Sequence, residues 1–157
     1  MGQQQLLLVI LVTIIVGIAT VVALNVFGSQ ADEANRDAVR QDILAAAAQA
    51  QGYYIRPEMM DGGGYSFDEL TIDRLGIPGS GEDNDTQWYN ENGSYLLDTD
   101  DDSFDLTGYP ASSGGGTDGY DTGEDPIEAT VIVCDGEDED GEVAIGWGED
   151  TPDCGDA

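Results

Sequence analysis

Closely spaced aspartates are the residues of this sequence best suited to chemistry, because carboxylates bind cations and transfer protons. Asp98, Asp100 and Asp102 match the first three ligand positions of a helix-loop-helix calcium loop. That loop needs glycine at its sixth position and glutamate at its twelfth, where this chain has Ser103 and Tyr109. We therefore expect no dedicated metal site and no cofactor, and at most weak, millimolar binding of divalent cations to a solvated acidic face.

The ionisable side chains also argue against catalysis. The chain has 33 Asp and Glu residues and four arginines, and it contains neither lysine nor histidine. Without a neighbouring base, a nucleophile motif or an apolar pocket, no pair of carboxylates stands out as acid and base. We predict that the protein is not an enzyme and has no catalytic residues.

Cys134 and Cys154 are the two cysteines of the chain, and acidic residues surround both. Nearby negative charge disfavours a thiolate, so we do not expect a reactive nucleophile. A structural disulfide formed outside the cytoplasm is one interpretation. Two free buried thiols are the other.

The charge of the chain excludes one class of partner. The net charge is −29, and residues 75–157 contain 24 acidic residues and no cation. Such a surface repels phosphate backbones, so we expect no nucleic-acid binding. At 1 M salt the repulsion between these acidic residues is screened beyond about 3 Å. We therefore expect the protein to work in a high-salt environment.

The N-terminal segment predicts a membrane helix. Residues 6–27 carry no charge and include only Thr13, Thr20 and Asn25 as polar members. As a helix, this run crosses the roughly 30 Å hydrocarbon layer of a bilayer. No basic residue precedes it, and it is longer than the apolar core of a cleavable secretory signal.

The helical pattern continues beyond the apolar run. Five residues at spacings of three and four form an apolar stripe that we expect to pack on a sheet: Val39, Ile43, Ala46, Ala50 and Tyr54. We predict one helix from about Gln3 to Gly52, on the order of 75 Å long.

The remainder predicts a small antiparallel sheet and therefore an α+β fold. The candidate strands are Ser94–Leu97, Ser103–Tyr109, Ala129–Cys134 and Glu142–Trp147. The last two flank an Asp- and Gly-rich hairpin loop. Residues 112–119 are expected to form a flexible surface loop, and Asn84 and Asn92 begin N-glycosylation motifs.

A leader ending in Gly2, an uncharged helix, an amphipathic continuation and a β domain with a late cysteine pair together resemble the type IV pilin family. The resemblance implies a lollipop-shaped subunit that a prepilin peptidase cuts after Gly2, leaving Gln3 as the N-terminus. Leu7 stands where the family usually carries a glutamate. The residues implied to form the filament core are Leu6, Leu7, Leu8, Ile10, Ile14, Gly17, Ile18 and Val21.

This organisation divides the chain into four parts: a possible leader at 1–2, an apolar membrane and filament-core helix at 3–28, an amphipathic helix at 29–55, and an acidic β-rich domain at 56–157. We expect a structural subunit held in the inner membrane before assembly, and in an extracellular surface filament after it. Its partners would be identical subunits in a helical homopolymer, the prepilin peptidase and the ATPase-driven assembly machinery. The alternatives are a pseudopilin of a type II secretion system and a single-pass membrane-anchored acidic domain that does not polymerise.

Overall fold

A computed structural model of the protein describes residues 2–81, 86–136, 139–148 and 152, and for residues 133–136 and 139–143 it describes the backbone alone. The chain divides into two compact units, Met1–Ala34 and Asn35–Ala157. The described part of the first unit is helical. The second contains the end of that helix and six strands, which confirms the predicted α+β class.

The first element, α1, is a single helix from Gly2 to Tyr54. In its apolar part, the hydroxyls of Thr13 and Thr20 donate to the carbonyls of Ile10 and Val16, each at 2.8 Å. These bonds satisfy both hydroxyl protons without water. The helix ends shortly before Pro57, which disfavours helical geometry in the residue preceding it.

An antiparallel sheet forms the body of the second unit, and its six strands lie in chain order. They are β1 (Ser80–Gly81), β2 (Gln87–Asn90), β3 (Gly93–Thr99), β4 (Ser103–Pro110), β5 (Ile127–Gly136) and β6 (Glu139–Trp147). The four predicted strands correspond to β3–β6, and the predicted hairpin joins β5 to β6. The prediction missed β1 and β2, because β1 has only two residues and the strand formers of β2, Trp88 and Tyr89, make too short a run to stand out.

The apolar stripe of α1 lies in the core of the second unit. Val39, Ile43, Ala46 and Ala50 are fully buried, and Tyr54 is 3% exposed. The sheet supplies the opposite side of this core from alternate positions of its strands: Tyr95, Leu97, Phe104, Leu106, Ala129 and Val131. The helix and the sheet therefore share one core.

The segment between α1 and β1 contributes more to this core than its loop-like sequence predicts. Five of its apolar residues are buried: Phe67, Leu70, Ile72, Leu75 and Ile77. The Phe67 ring centre lies 4.9 Å from that of Tyr54 and 5.1 Å from that of Phe104. Phe67 therefore joins the end of α1 to the sheet.

Gly108 in β4 lies directly against two buried side chains of α1. A Cβ atom at this position would lie 2.5 Å from Val39 Cγ1 and 3.3 Å from Ile43 Cδ1. Both side chains are fully buried and have little room to move. The absence of a side chain at Gly108 therefore sets the distance between α1 and β4.

We predict that Gly108→Ala lowers the free energy of unfolding by about 1–3 kcal/mol, as overpacked cores do. Chemical denaturation of the full chain at constant high salt would measure it. Gly52→Ala is the matched control, because nothing lies within 4 Å of a Cβ at that helical position and the change should stabilise by roughly 0.5–1 kcal/mol. Unchanged stability of Gly108→Ala would contradict the close approach of α1 to β4.

Candidate assembly surfaces

The apolar part of α1 exposes all the residues expected to form a filament core. These residues are Leu6, Leu7, Leu8, Ile10, Ile14, Gly17, Ile18 and Val21. The large apolar side chains from Leu6 to Phe27 are between 47% and 68% exposed. Because they occupy nearly every consecutive position, they cover all sides of the helix.

A helix that is apolar on every side needs apolar surroundings. In α1, the most apolar window of 18 residues has a mean hydropathy of 3.1, and none of it is buried within the protein. Its length and composition are sufficient to cross a membrane. This helix could therefore anchor the chain in a bilayer.

The remaining predicted site residues are the processing position and the cysteines. Gly2 is the first residue of α1 and Gln3 the second, and both are exposed. Cleavage between them stays a prediction. Cys154 and the side chain of Cys134 lie outside the described residues, so the disulfide also stays a prediction.

A polar network fixes α1 to the hairpin formed by β2 and β3, a feature that the sequence did not predict. Asp42 Oδ2 accepts hydrogen bonds from the Tyr95 hydroxyl at 2.6 Å, from Asn92 Nδ2 at 2.9 Å and from Asn90 Nδ2 at 3.0 Å. Asn90 Oδ1 in turn accepts from the backbone N–H groups of Asn92 and Gly93. One carboxylate on the helix therefore determines the conformation of the turn at residues 90–93.

Tyr95 shows the electrostatic effect of this arrangement. Burial raises the pKa of the Tyr95 phenol well above its usual value, and the hydrogen bond to Asp42 and the charge of its carboxylate raise it further. Ionised Tyr95 would place two negative charges in contact. The phenol therefore stays protonated and continues to donate to Asp42.

The same network bears on the glycosylation motif at Asn92. N-glycosylation requires a free side-chain amide, and that of Asn92 donates to Asp42. The Asn92 carbonyl also accepts from Asn35 Nδ2 at 3.0 Å and from the Ala111 N–H at 2.8 Å. In the folded domain this amide is therefore held by Asp42. The second motif begins at Asn84, which lies outside the described residues.

The outer face of the sheet carries like charges directly opposite one another. Asp98 in β3 faces Asp105 in β4, and Glu128 lies beside them in β5. With Leu96 and Thr107 they line a shallow depression of about 320 Å³. Within the part of the chain that the structure describes, no group of three or more acidic, Cys or His side chains is arranged to hold a metal ion.

Among the described residues, two arginines form exposed ion pairs and a third binds a main-chain carbonyl. Arg74 contacts Asp61 Oδ1 at 2.9 Å, and Arg40 contacts Asp37 Oδ1 at 3.1 Å. Arg36 donates to the Asp125 carbonyl at 3.2 Å. Exposed pairs of this kind contribute about 0–1 kcal/mol each, so they guide packing more than they stabilise the fold.

One unit displays an apolar helix, and the other presents an acidic sheet face and exposed ion pairs. Comparisons of the chain with protein families, with characterised proteins and with solved structures find no match.

We predict that the stability of the domain falls as the pH rises above about 10, where tyrosines of the unfolded chain ionise. The raised pKa of Tyr95 gives stability that is complete below pH 10 and is lost as the pH rises towards its folded pKa. The pKa values of Tyr53 and Tyr120 are raised as well, chiefly by burial, and act in the same direction.

Tyr95→Phe should make this alkaline loss shallower, while costing about 1–3 kcal/mol at pH 7 because Asp42 loses a donor. Denaturation curves from pH 7 to about 11 would measure both effects. Tyr65→Phe, at an exposed position, controls for the removal of a tyrosine. An alkaline slope that is equal in wild type and Tyr95→Phe would contradict the burial of the phenol.

We also predict that Asp98→Asn stabilises the domain in dilute buffer by about 0.2–1 kcal/mol, because it relieves the cross-strand repulsion with Asp105. The gain in stability should shrink at 1 M salt, because charges more than about 3 Å apart are then largely screened from each other. Asp118→Asn makes the same charge change at an exposed loop position. Equal gains from the two variants would show that only net charge matters, and not the pairing of Asp98 with Asp105.

Proposed function

We propose that this chain is the structural subunit of a surface filament of the type IV pilin kind, and that it is not an enzyme. The observation that carries the proposal is the exposure of large apolar side chains on every side of α1 from Leu6 to Phe27. These side chains are stable only in lipid or against similar helices. A filament core built from copies of this helix is one way to cover them.

Membrane storage followed by helix bundling accounts for this surface. Apolar side chains leave lipid for equally apolar surroundings, so the gain in a bundle comes from packing and not from the hydrophobic effect. Extraction from the membrane would therefore need an ATP-driven machine. A small residue such as Gly17 allows neighbouring helices to approach closely.

The acidic domain suits the outside of such a filament. At low salt the acidic domains of neighbouring subunits repel one another. At 1 M salt this repulsion is screened beyond about 3 Å. Crowded subunits would then be tolerated in concentrated salt, where the carboxylates bind water. The proposal accordingly places assembly in a high-salt environment outside the cell.

A second candidate is a single-pass membrane protein that displays the acidic domain without polymerising. The suitability of α1 as a membrane span favours it, because anchoring needs nothing more. The two candidates differ in what happens to the chain when the cell surface is sheared.

The deciding experiment shears the cell surface, pellets the released material and takes both its intact mass and negative-stain images. Filaments made of a chain that lacks Met1 and Gly2 would support a processed, exported subunit, and a mass two protons lower would indicate the disulfide between Cys134 and Cys154. Filaments whose subunits retain Met1 would support polymerisation but would contradict cleavage by a peptidase. A full-length chain that stays in the membrane fraction without filaments would favour the anchored domain.

We predict that Gly17→Leu reduces sheared filaments at least about ten-fold, equivalent to 1.4 kcal/mol, and leaves membrane retention unchanged. A Cβ at Gly17 meets nothing within 4 Å in the single chain, so the subunit itself accommodates the change. Leucine is also a better helix former than glycine. Any loss would therefore arise between subunits.

Val16→Leu is the matched control, because it adds apolar volume at the adjacent exposed position. Immunoblots of sheared and membrane fractions would compare the two variants. Wild-type amounts of filament from Gly17→Leu would show that helices do not pack closely at Gly17.

A further inference from the structure

The turn between β2 and β3 contains a chemically reactive pair of residues. Asn92 is followed by Gly93, and no other asparagine of the chain precedes a glycine. In such a pair the backbone nitrogen of the glycine can attack Cγ of the asparagine, because glycine has no side chain to obstruct the approach. The pair is therefore a candidate for spontaneous modification.

This reaction requires only water. A bond forms between the Gly93 nitrogen and Asn92 Cγ, the bond from Cγ to Nδ2 breaks, and ammonia leaves with the proton of the Gly93 N–H. The product is a cyclic succinimide. Water then adds to either carbonyl carbon of the succinimide and opens it to aspartate or to isoaspartate, in which the backbone runs through the side chain. The net change is the uptake of water and the release of ammonia.

The fold depends on both members of the pair. Gly93 has a φ angle of +155°, and a Cβ atom at this position would collide with the carbonyl oxygen of Tyr109 in the neighbouring strand. Asn92 supplies one of the donors that hold Asp42, with a distance of 2.9 Å from Nδ2 to Oδ2. The chain therefore carries a reactive pair because the turn uses each of its residues.

The same contacts hold the two reacting groups in place. The Gly93 N–H donates to Asn90 Oδ1 at 3.2 Å, and the side-chain amide of Asn92 donates to Asp42. The Asn92 carbonyl accepts two further hydrogen bonds, at 3.0 and 2.8 Å. For the attack, the Gly93 nitrogen has to leave Asn90 and the Asn92 side chain has to turn away from Asp42. The turn must therefore open before the pair can react.

We infer that Asn92 and Gly93 form a self-modification site, which the folded domain keeps unreacted and which opening of the turn releases. Local opening of this kind needs only a part of the domain to unfold. The inference concerns the second unit alone, so it does not depend on the proposed filament.

The products of the reaction cannot rebuild the native turn. Aspartate at position 92 places a second carboxylate beside Asp42, where the amide now lies at 2.9 Å. Salt relieves little of this repulsion, because the screening length is still about 3 Å at 1 M. Isoaspartate lengthens the backbone and disturbs the pairing of Asn90 with Gly93. The modification therefore leaves a permanent record that the domain of a subunit has opened.

The first test incubates the full chain in detergent and concentrated salt, either folded or unfolded by urea at the same pH. Mass spectrometry of peptides that contain residue 92 follows the conversion of the amide to an acid. We expect the folded chain to react at least about ten-fold more slowly, which corresponds to an opening free energy of about 1.4 kcal/mol. Equal rates would overturn the inference, and so would a glycan on Asn92, because a glycosylated amide is no longer free.

The second test compares two folded variants, Asn90→Ala and Tyr95→Phe. Each removes one donor from Asp42, but only Asn90→Ala also frees the Gly93 N–H. We expect the conversion at Asn92 to be at least about ten-fold faster in Asn90→Ala than in Tyr95→Phe. Equal rates in the two variants would show that the local hydrogen bonds give no protection. If Asn90→Ala does not fold, the first test decides.

The third test examines whether the modified turn can return to its native form, by comparing Asn92→Asp with Asn92→Ser. Both changes remove the amide that donates to Asp42, and only Asn92→Asp adds a carboxylate beside it. We expect Asn92→Asp to unfold at a lower urea concentration than Asn92→Ser, in dilute buffer and in concentrated salt. Equal midpoints would show that the product is accepted in the native turn and would overturn the permanent record.

Discussion

The organisation of this protein depends on one constraint. The first half of α1 needs apolar surroundings, whereas its second half packs against the sheet of a folded acidic domain. Large side chains from Leu6 to Phe27 are exposed on all sides, whereas Val39, Ile43 and Ala50 are fully buried against the sheet. The backbone hydrogen bonds of a helix are satisfied in both environments. A single helix is thus the simplest element that can continue from one to the other.

The acidic surface limits how the domain can be stabilised. Few cations are available for ion pairs, so cohesion has to come from burial and from hydrogen bonds to neutral donors. The Asp42 network illustrates this, since its carboxylate is bound by Tyr95, Asn90 and Asn92 and not by an arginine. Neutral donors keep the network intact in concentrated salt, which weakens exposed ion pairs more than buried hydrogen bonds. We therefore expect salt to affect the acidic surface of the domain more than its interior.

Periodic apolar patterns were sufficient to predict the helix, its buried stripe and strands β3–β6, because burial on one face imposes a regular spacing. Elements shaped by tertiary contacts were not predictable in this way. Phe67 and Ile72 are buried without any periodic signal, and β2 forms because its residues pair with β3. Residues 112–119, expected as a flexible loop, start in a short 3-10 turn, and a Cβ at the buried Gly115 would collide with the Tyr109 carbonyl. The Asp42 network has no local pattern, because it joins residues far apart in the chain.

The four arginines line two surface depressions in pairs, Arg36 with Arg40 and Arg56 with Arg74. Arg74 holds the turn at residues 58–61 through Asp61, Arg40 pairs with Asp37, and Arg36 binds the Asp125 carbonyl. None of these three side chains lies in the core, where a charge would be costly. Each of the two ion pairs neutralises one carboxylate on a surface that is otherwise anionic, and salt screens such exposed contacts. The remaining acidic surface therefore has to be screened before two copies of the domain can come close to one another.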